Sequence, residues 1–133
     1  MAGINITTYD AKDTTVMVDD VYITQLGEDM VTGEKDEEFT SPSVGAQGDV
    51  VVNKVNNTLG TVTIAVQPTS PQKPFLNALA KRTEPFPLWC VNKALGERFG
   101  GTKALLKNYP SIERGAEASD MEYEFQVYDY TVE

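Results

Sequence analysis

Apolar and polar residues alternate along much of this chain. From Met121 to Val127 the apolar positions are Met121, Tyr123, Phe125 and Val127, with Glu122, Glu124 and Gln126 between them. A two-residue period lays one face of an extended strand on a core and leaves the other in water. Thr61 to Gln67 repeats it, with Val62, Ile64 and Val66 on one face and Thr61, Thr63 and Gln67 on the other. Its threonine and valine content suits a half-buried sheet. Val16 and Val18 alternate with Thr15 and Met17, Asp19-Asp20 offers a turn, and Val21 to Leu26 resumes, which predicts a hairpin. Val50-Val51-Val52 begins another extended segment, and Leu88 to Lys93 and Lys103 to Tyr109 read as strands divided by a turn at Gly100-Gly101. Beyond Val127 the apolar positions become Tyr128, Tyr130 and Val132. A slip of one residue inverts the face, so a bulge or a change of neighbour is predicted near Val127-Tyr128.

One stretch has helical spacing. Phe75, Leu76, Leu79 and Ala80 share a face, Ser70 and Pro71 suit an N-cap and a first helical residue, and Lys81 and Arg82 fall where the helix dipole favours cations. Pro85 and Pro87 bar continuation. The expectation is a short helix over about 71–82 that plugs one open end of a sheet. The fold class is then mainly β, an antiparallel β-sandwich or barrel with one flanking helix, and 133 residues suffice for a single domain with one core. The stretch from Gly27 to Asp49 departs from this plan. It carries Gly33, Gly45, Gly48, Pro42 and the run Glu34-Lys35-Asp36-Glu37-Glu38, and reads as a long loop of the kind that is functional or ordered on assembly.

Charge and composition narrow the chemistry. A net charge of −9 with eleven scattered basic residues makes this a poor nucleic-acid binder, because backbone binding draws on clustered Lys and Arg. Histidine is absent, which removes every triad built on imidazole. Cys90 is alone, cannot form an internal disulfide, and lies in the apolar run Leu88-Trp89-Cys90-Val91, where a buried thiol filling core space is expected. Gly96 to Lys103 has the glycine spacing of a phosphate loop but ends in Thr102-Lys103, the reverse of the required order, so it reads as a turn. The acids show no calcium-loop spacing, and nothing selects a catalytic pair. No catalytic, cofactor-binding or metal residue is assigned, no cofactor is expected, and the chain is not expected to be an enzyme. No apolar run is long enough to cross a membrane as a helix. The first residues lack the basic head and apolar stretch of a signal peptide, so synthesis in a cytoplasm is expected.

The order of segments carries a resemblance. The strand Gly60 to Gln67, then Thr69-Ser70-Pro71, the helix with Phe75-Leu76-Asn77-Ala78-Leu79, Pro87-Leu88-Trp89, Ala104 to Pro110 and the acidic-aromatic Met121 to Tyr130 resemble tail tube proteins of contractile-tailed phages and phage-tail-like bacteriocins. The likeness lies mainly in the C-terminal two-thirds; the first 45 residues share its plan of hairpin and long loop. The resemblance implies a small β-barrel or sandwich whose copies join in six-membered rings, stacked as the inner tube of a contractile sheath. It implies as partners further copies of the chain and the sheath, tape-measure and baseplate proteins. DNA would pass without specific binding, or in a headless particle the tube would breach a membrane. The particle would assemble in a bacterial host. Mapped here, the family's assembly contacts fall on the N-terminal segment 1–13 and the loop 27–49, with Val31, Glu34, Lys35, Asp36, Glu37, Glu38, Phe39 and Val44 as contact residues. Deleting that loop is expected to leave the fold intact and abolish polymerisation. Glu122 and Glu124 are candidates for an acidic lumen, as is the 34–38 cluster. The alternatives are a monomeric β-sandwich that binds a sugar or peptide, and another virion ring such as a tail terminator or connector.

Overall fold

The computed structural model describes residues 3–133, so Met1 and Ala2 of the expected assembly segment lie outside the described residues. The strands are β1 (Thr14–Val18), β2 (Val21–Tyr22), β3 (Leu26–Lys35), β4 (Thr40–Val44), β5 (Val50–Lys54) and β6 (Gly60–Val66). After the helix α1 (Lys73–Ala78) come β7 (Phe86–Asn92), β8 (Glu97–Leu106), β9 (Met121–Val127) and β10 (Thr131–Val132). One antiparallel sheet runs β2-β1-β7-β8-β9-β6-β3, with β10 also on β8, while β4 and β5 form a separate hairpin.

That order forces closure. β2 and β3 stand at opposite edges yet are separated only by Ile23, Thr24 and Gln25. Six inter-strand steps would set the edges of a flat sheet roughly 29 Å apart. The chain from Tyr22 to Leu26 reaches at most about 14 Å. The sheet therefore curls until its edges approach one another at a seam that no strand pairing bridges, and the result is a partly open barrel. Gln25 turns this corner with φ 52°, and Gln72 pins it. The Gln72 Oε1 atom accepts the Thr24 N–H at 2.7 Å, and its Nε2 donates to the Tyr22 carbonyl at 2.7 Å.

The predicted alternation fills the barrel. Met121, Tyr123, Phe125 and Val127 of β9, Val62, Ile64 and Val66 of β6, Val16 and Val18 of β1, and Phe86, Leu88 and Cys90 of β7 point inward as one cluster. Each such fully buried side chain contributes about 1.5–3 kcal/mol. Phe86 meets Phe125 edge to face at 6.0 Å. The helix closes one end with Leu76 and Leu79, and the buried Tyr123 hydroxyl donates to Asn77 Oδ1 at 2.8 Å. The Asp19-Asp20 turn forms as predicted, with φ 51° and 63°, the left-handed pair that suits a two-residue hairpin.

Two expected elements change. The helix starts later than residue 71: the Ser70 hydroxyl accepts the Gln72 N–H at 3.2 Å, which makes Pro71-Gln72 a turn, and only Lys73–Ala78 is α-helical before a 3-10 turn at Leu79–Lys81. Gly100 and Gly101 do not form the turn between strands. They lie inside β8, where a side chain on Gly100 (φ 135°) would strike the Leu88 carbonyl and one on Gly101 would strike Asp129 and Val127. The turn is Lys93 to Gly96 instead, closed by the Gly96 N–H on the Lys93 carbonyl and by Asn92 Oδ1 on the Leu95 N–H. As expected, the neighbour changes after Val127: β9 lies between β6 and β8, whereas β10 pairs with the first half of β8 alone, in an unshifted register. Between the two pairings the Asp129 carboxylate accepts the N–H groups of Thr102 and Lys103, each at 3.1 Å.

The stretch 27–49 is not a loop. Its first nine residues belong to β3, which pairs with β6 from Val31↔Ile64 to Lys35↔Gly60, and the rest is the first half of the β4–β5 hairpin. Removing Gly27 to Asp49 would take a wall from the barrel, so that deletion cannot leave the fold intact. Cys90 is buried as expected, and burial pushes its thiol up to about 12. Alkylating reagents at pH 8 are expected to leave Cys90 unmodified in the folded protein and to label it fully in denaturant, as read by mass spectrometry. Fast labelling of the native chain would contradict this packing.

Candidate assembly interface

The hairpin β4–β5 stands off the barrel as an arm. Its turn is held by the Gly45 N–H on the Asp49 carbonyl at 2.8 Å and by Gly48 at φ 95°. Every residue from Thr40 to Lys54 is exposed. The register sets Pro42 opposite Val52 and Val44 opposite Val50, so one face is an apolar row. The other face carries Ser41, Ser43, Val51 and Asn53, and the Asn53 Nδ2 donates to the Ser41 carbonyl at 3.0 Å and Ser43 Oγ at 2.9 Å. Val44 is 70 % exposed and Val52 64 %. An isolated two-stranded hairpin is at best marginal in water, and this one spends no apolar surface on its own barrel. Proline is tolerated in β4 because that strand is an edge.

The arm root is tied to the barrel. The Asp36 N–H donates to the Leu59 carbonyl at 3.0 Å, which brings the two stems together. The Asp36 carboxylate accepts from Thr61 Oγ1 on β6 at 2.8 Å and from Gln126 Nε2 on β9 at 3.0 Å. Those hydrogen bonds, that from Gln126 first and that from Thr61 next, hold its carboxyl below the usual range, helped by Lys107 and Lys35 against a small burial penalty. Lys107 Nζ reaches the same cluster, donating to Thr61 Oγ1 at 2.9 Å.

The expected contact residues separate accordingly. Val31 packs half-buried against the core, so it is a wall residue and no free contact. Glu34 is exposed on β3. Lys35, Asp36, Glu37 and Glu38 build the root, with the Lys35 ammonium 4.7 Å from the centre of the Phe39 ring. Phe39 is 75 % exposed at the start of the arm. The sequence reading missed Pro42 and the run Val50–Val52 as arm residues. It had read that run as an extended segment, but not as the partner of β4. In the N-terminal segment, Gly3 to Asp13 is exposed throughout, with Ile4 at 92 % and Ile6 at 87 %.

The barrel has two unlike walls. On β6 and β9 the outward residues are Thr61, Thr63, Glu122, Glu124 and Gln126, with Glu124 opposite Thr63. On β1 and β7 they are Met17, Trp89 and Val91, with Met17 opposite Trp89. The outer edge of β3 has no strand beside it among the described residues. No group of three or more metal-ligating side chains converges among the described residues, and no helix is long and apolar enough to cross a membrane.

The fold is similar to those of chains from contractile injection systems. It superimposes with a TM-score of 0.65 at 13 % identity on a chain of the PVC sheath/tube terminator of an extracellular contractile injection system, over 96 % of this chain and 98 % of that one. The anti-feeding prophage cap, described as the AFP tube terminating cap, gives 0.64 at 12 % identity over 99 % and 95 %. A chain of the PVC sheath-tube complex gives 0.63 at 13 % over 95 % and 91 %. No curated protein sequence matches the chain. The sequence pattern of the bacteriophage PhiTE tail tube proteins matches residues 6–96, and the chain belongs to that family. It is a component of a phage-like tube. The match includes the N-terminal hairpin and the arm, so the family likeness is not confined to the C-terminal two-thirds.

The linkage at Asp36 has a defined sign. A carboxylate with a lowered pKa contributes stability that is present above its ordinary pKa and is lost as pH falls through the folded value. The arm root is therefore expected to hold from neutral pH down to the ordinary carboxylate range and to loosen only in stronger acid. Asp36→Ala should loosen it already at pH 7, with several-fold faster exchange of the residue 36 amide, which donates to the Leu59 carbonyl. Unchanged exchange in the variant would contradict the clamp.

Proposed function

We propose that the chain is the repeating subunit of the tube, and that copies complete one another's exposed edge and arm in stacked, six-membered rings. The observation that carries this reading is the arm: a two-stranded hairpin, exposed on both faces, with an apolar row that nothing in its own barrel covers. Burying that row in a second copy removes an unfavourable surface and orders the hairpin at once. The unpaired edge of β3 supports the same reading, because a ring closes such edges without leaving a free template. The N-terminal segment, with Ile4 and Ile6 in water, is a second assembly element.

The polar wall is the lumen surface. Threonine, glutamate and glutamine on β6 and β9 give a hydrated face free of aromatic side chains. Glu122 and Glu124 repel a passing polyanion at close range, within a screening length of about 8 Å at physiological salt. The conduit would carry DNA or, in a headless particle, open a path through a target membrane. The work of the chain is mechanical: no residue is assigned a chemical step. A sheath outside the tube and tape-measure and baseplate proteins at its ends are the further partners, in a particle built in the host cell.

A second reading is a terminator that caps the tube, favoured by the likeness to two terminating chains. Electron microscopy of the concentrated protein separates the two. Long hollow tubes are expected. Rings that stop at one or two layers would favour the terminator, and monomers under all conditions would overturn both. Replacing Thr40 to Lys54 by Asn-Gly is the matching variant. Phe39 and Val55 are already joined across the ladder at 2.9 Å, so the barrel keeps its fold while tubes disappear. Tubes formed by that variant would show that the arm is dispensable.

A further inference from the structure

Two apolar surfaces of this chain lack a partner within it. One is the arm row of Pro42, Val44, Val50 and Val52. The other is a groove of about 380 Å³ on the outer wall, floored by Met17, Trp89 and Val91 and flanked by the exposed Tyr22. Arg98 lies over the Trp89 ring at 3.7 Å and is itself within 3.8 Å of the Glu133 carboxylate. An aromatic floor is the kind of surface that anchors interfaces.

We propose that the arm of one copy lies in the Met17–Trp89 groove of the next, apolar row downward. The proposal rests on the tube reading and names the surface that receives the arm. Length agrees: β1, which forms the groove, has five residues, as do β4 and β5, and each five-residue strand runs about 17 Å. Charge agrees as well. The chain carries −9, but between Phe39 and Val55 the charged residues are Asp49 and Lys54, which cancel. The groove is bordered by Asp13 and Lys93, one of each sign. Strongly acidic copies thus meet through their neutral parts, where mutual repulsion is least. Each copy gives one arm and receives one, so a closed ring makes this contact once per subunit.

Ridge and groove are different surfaces of one chain. The contact is therefore heterologous and propagates, where a self-complementary patch would stop at a dimer. The arm cannot fold back to satisfy its own groove. It leaves from the root between β3 and β6 and stays exposed along its length, while the groove lies across the seam on β1 and β7.

Complementation tests the pairing. Val52→Glu spoils the ridge and keeps the groove; Met17→Glu spoils the groove and keeps the ridge. Each variant alone is expected to sediment as a monomer at concentrations where the unaltered chain assembles. The mixture is expected to form a one-to-one complex that grows no further, because one intact ridge meets one intact groove. Assembly of Met17→Glu like the unaltered chain, or a mixture that stays monomeric, would overturn the pairing while leaving the tube reading in place. An unaltered chain that never assembles would overturn the tube reading itself. Matching thermal melts check that the variants fold. If Met17→Glu melts lower, Tyr22→Glu, at a site 61 % exposed, takes its place with the same expected outcomes.

Discussion

Three residues shape this molecule. Ile23, Thr24 and Gln25 carry the chain from one edge of the sheet to the other, a path far shorter than the width of the sheet laid flat. The sheet must curl, its apolar faces turn inward together, and the core becomes the inside of a barrel. Gln72 ties this crossing to the start of the helix, so closure of the wall and plugging of the end depend on the same side chain. Because β3 begins at the seam, its outer edge has no strand beside it. The chain leaves the end of β3 into the arm, and the surfaces left for assembly follow from the way the barrel closes.

Closure also sorts the surface. The wall of β6 and β9 turns threonine and glutamate outward, while the wall of β1 and β7 turns methionine, tryptophan and valine outward. Between them the Asp36 cluster joins β3, β6 and β9 at the point where the arm departs. The arm is therefore aimed from a fixed base. An arm swinging freely would lose much of its binding energy to ordering, and a clamped root reduces that loss.

The strands that face the core were legible in the sequence. β9 and β6 alternate because each has one buried and one wet face, and a two-residue period is the direct imprint of that difference. The Asp19-Asp20 turn was legible because the local chemistry of the pair permits positive φ. The arm was hidden for the converse reason. Both its faces are in water in the single chain, so neither face imposes a period, and its glycines, proline and nearby acids look like a loop. Strand β3 was hidden because only Leu26 and Val31 mark its inner face, and Gly33 stands where a larger residue would strike Phe99 and Tyr130. Gly100 and Gly101 misled in the same way. Glycine there answers a close approach of backbone and side chains from other strands, which a reading of neighbours along the chain does not see. Of the expected contact residues, Phe39 and Val44 are exposed on the arm, Val31 belongs to the wall, and the Val50–Val52 row needed the β4–β5 register to be seen.

The central claim is that the arm and the free edge of β3 are unfinished in the single chain and are completed by other copies. Hydrogen exchange at the amides of β3, β4 and β5, compared between dilute monomer and concentrated assembly, tests it most directly. Fast exchange in the arm of the monomer and strong protection in the assembly, with little change in β6 and β9, is the predicted result. An arm already protected in the monomer, or equally unprotected in an assembled tube, would contradict the account.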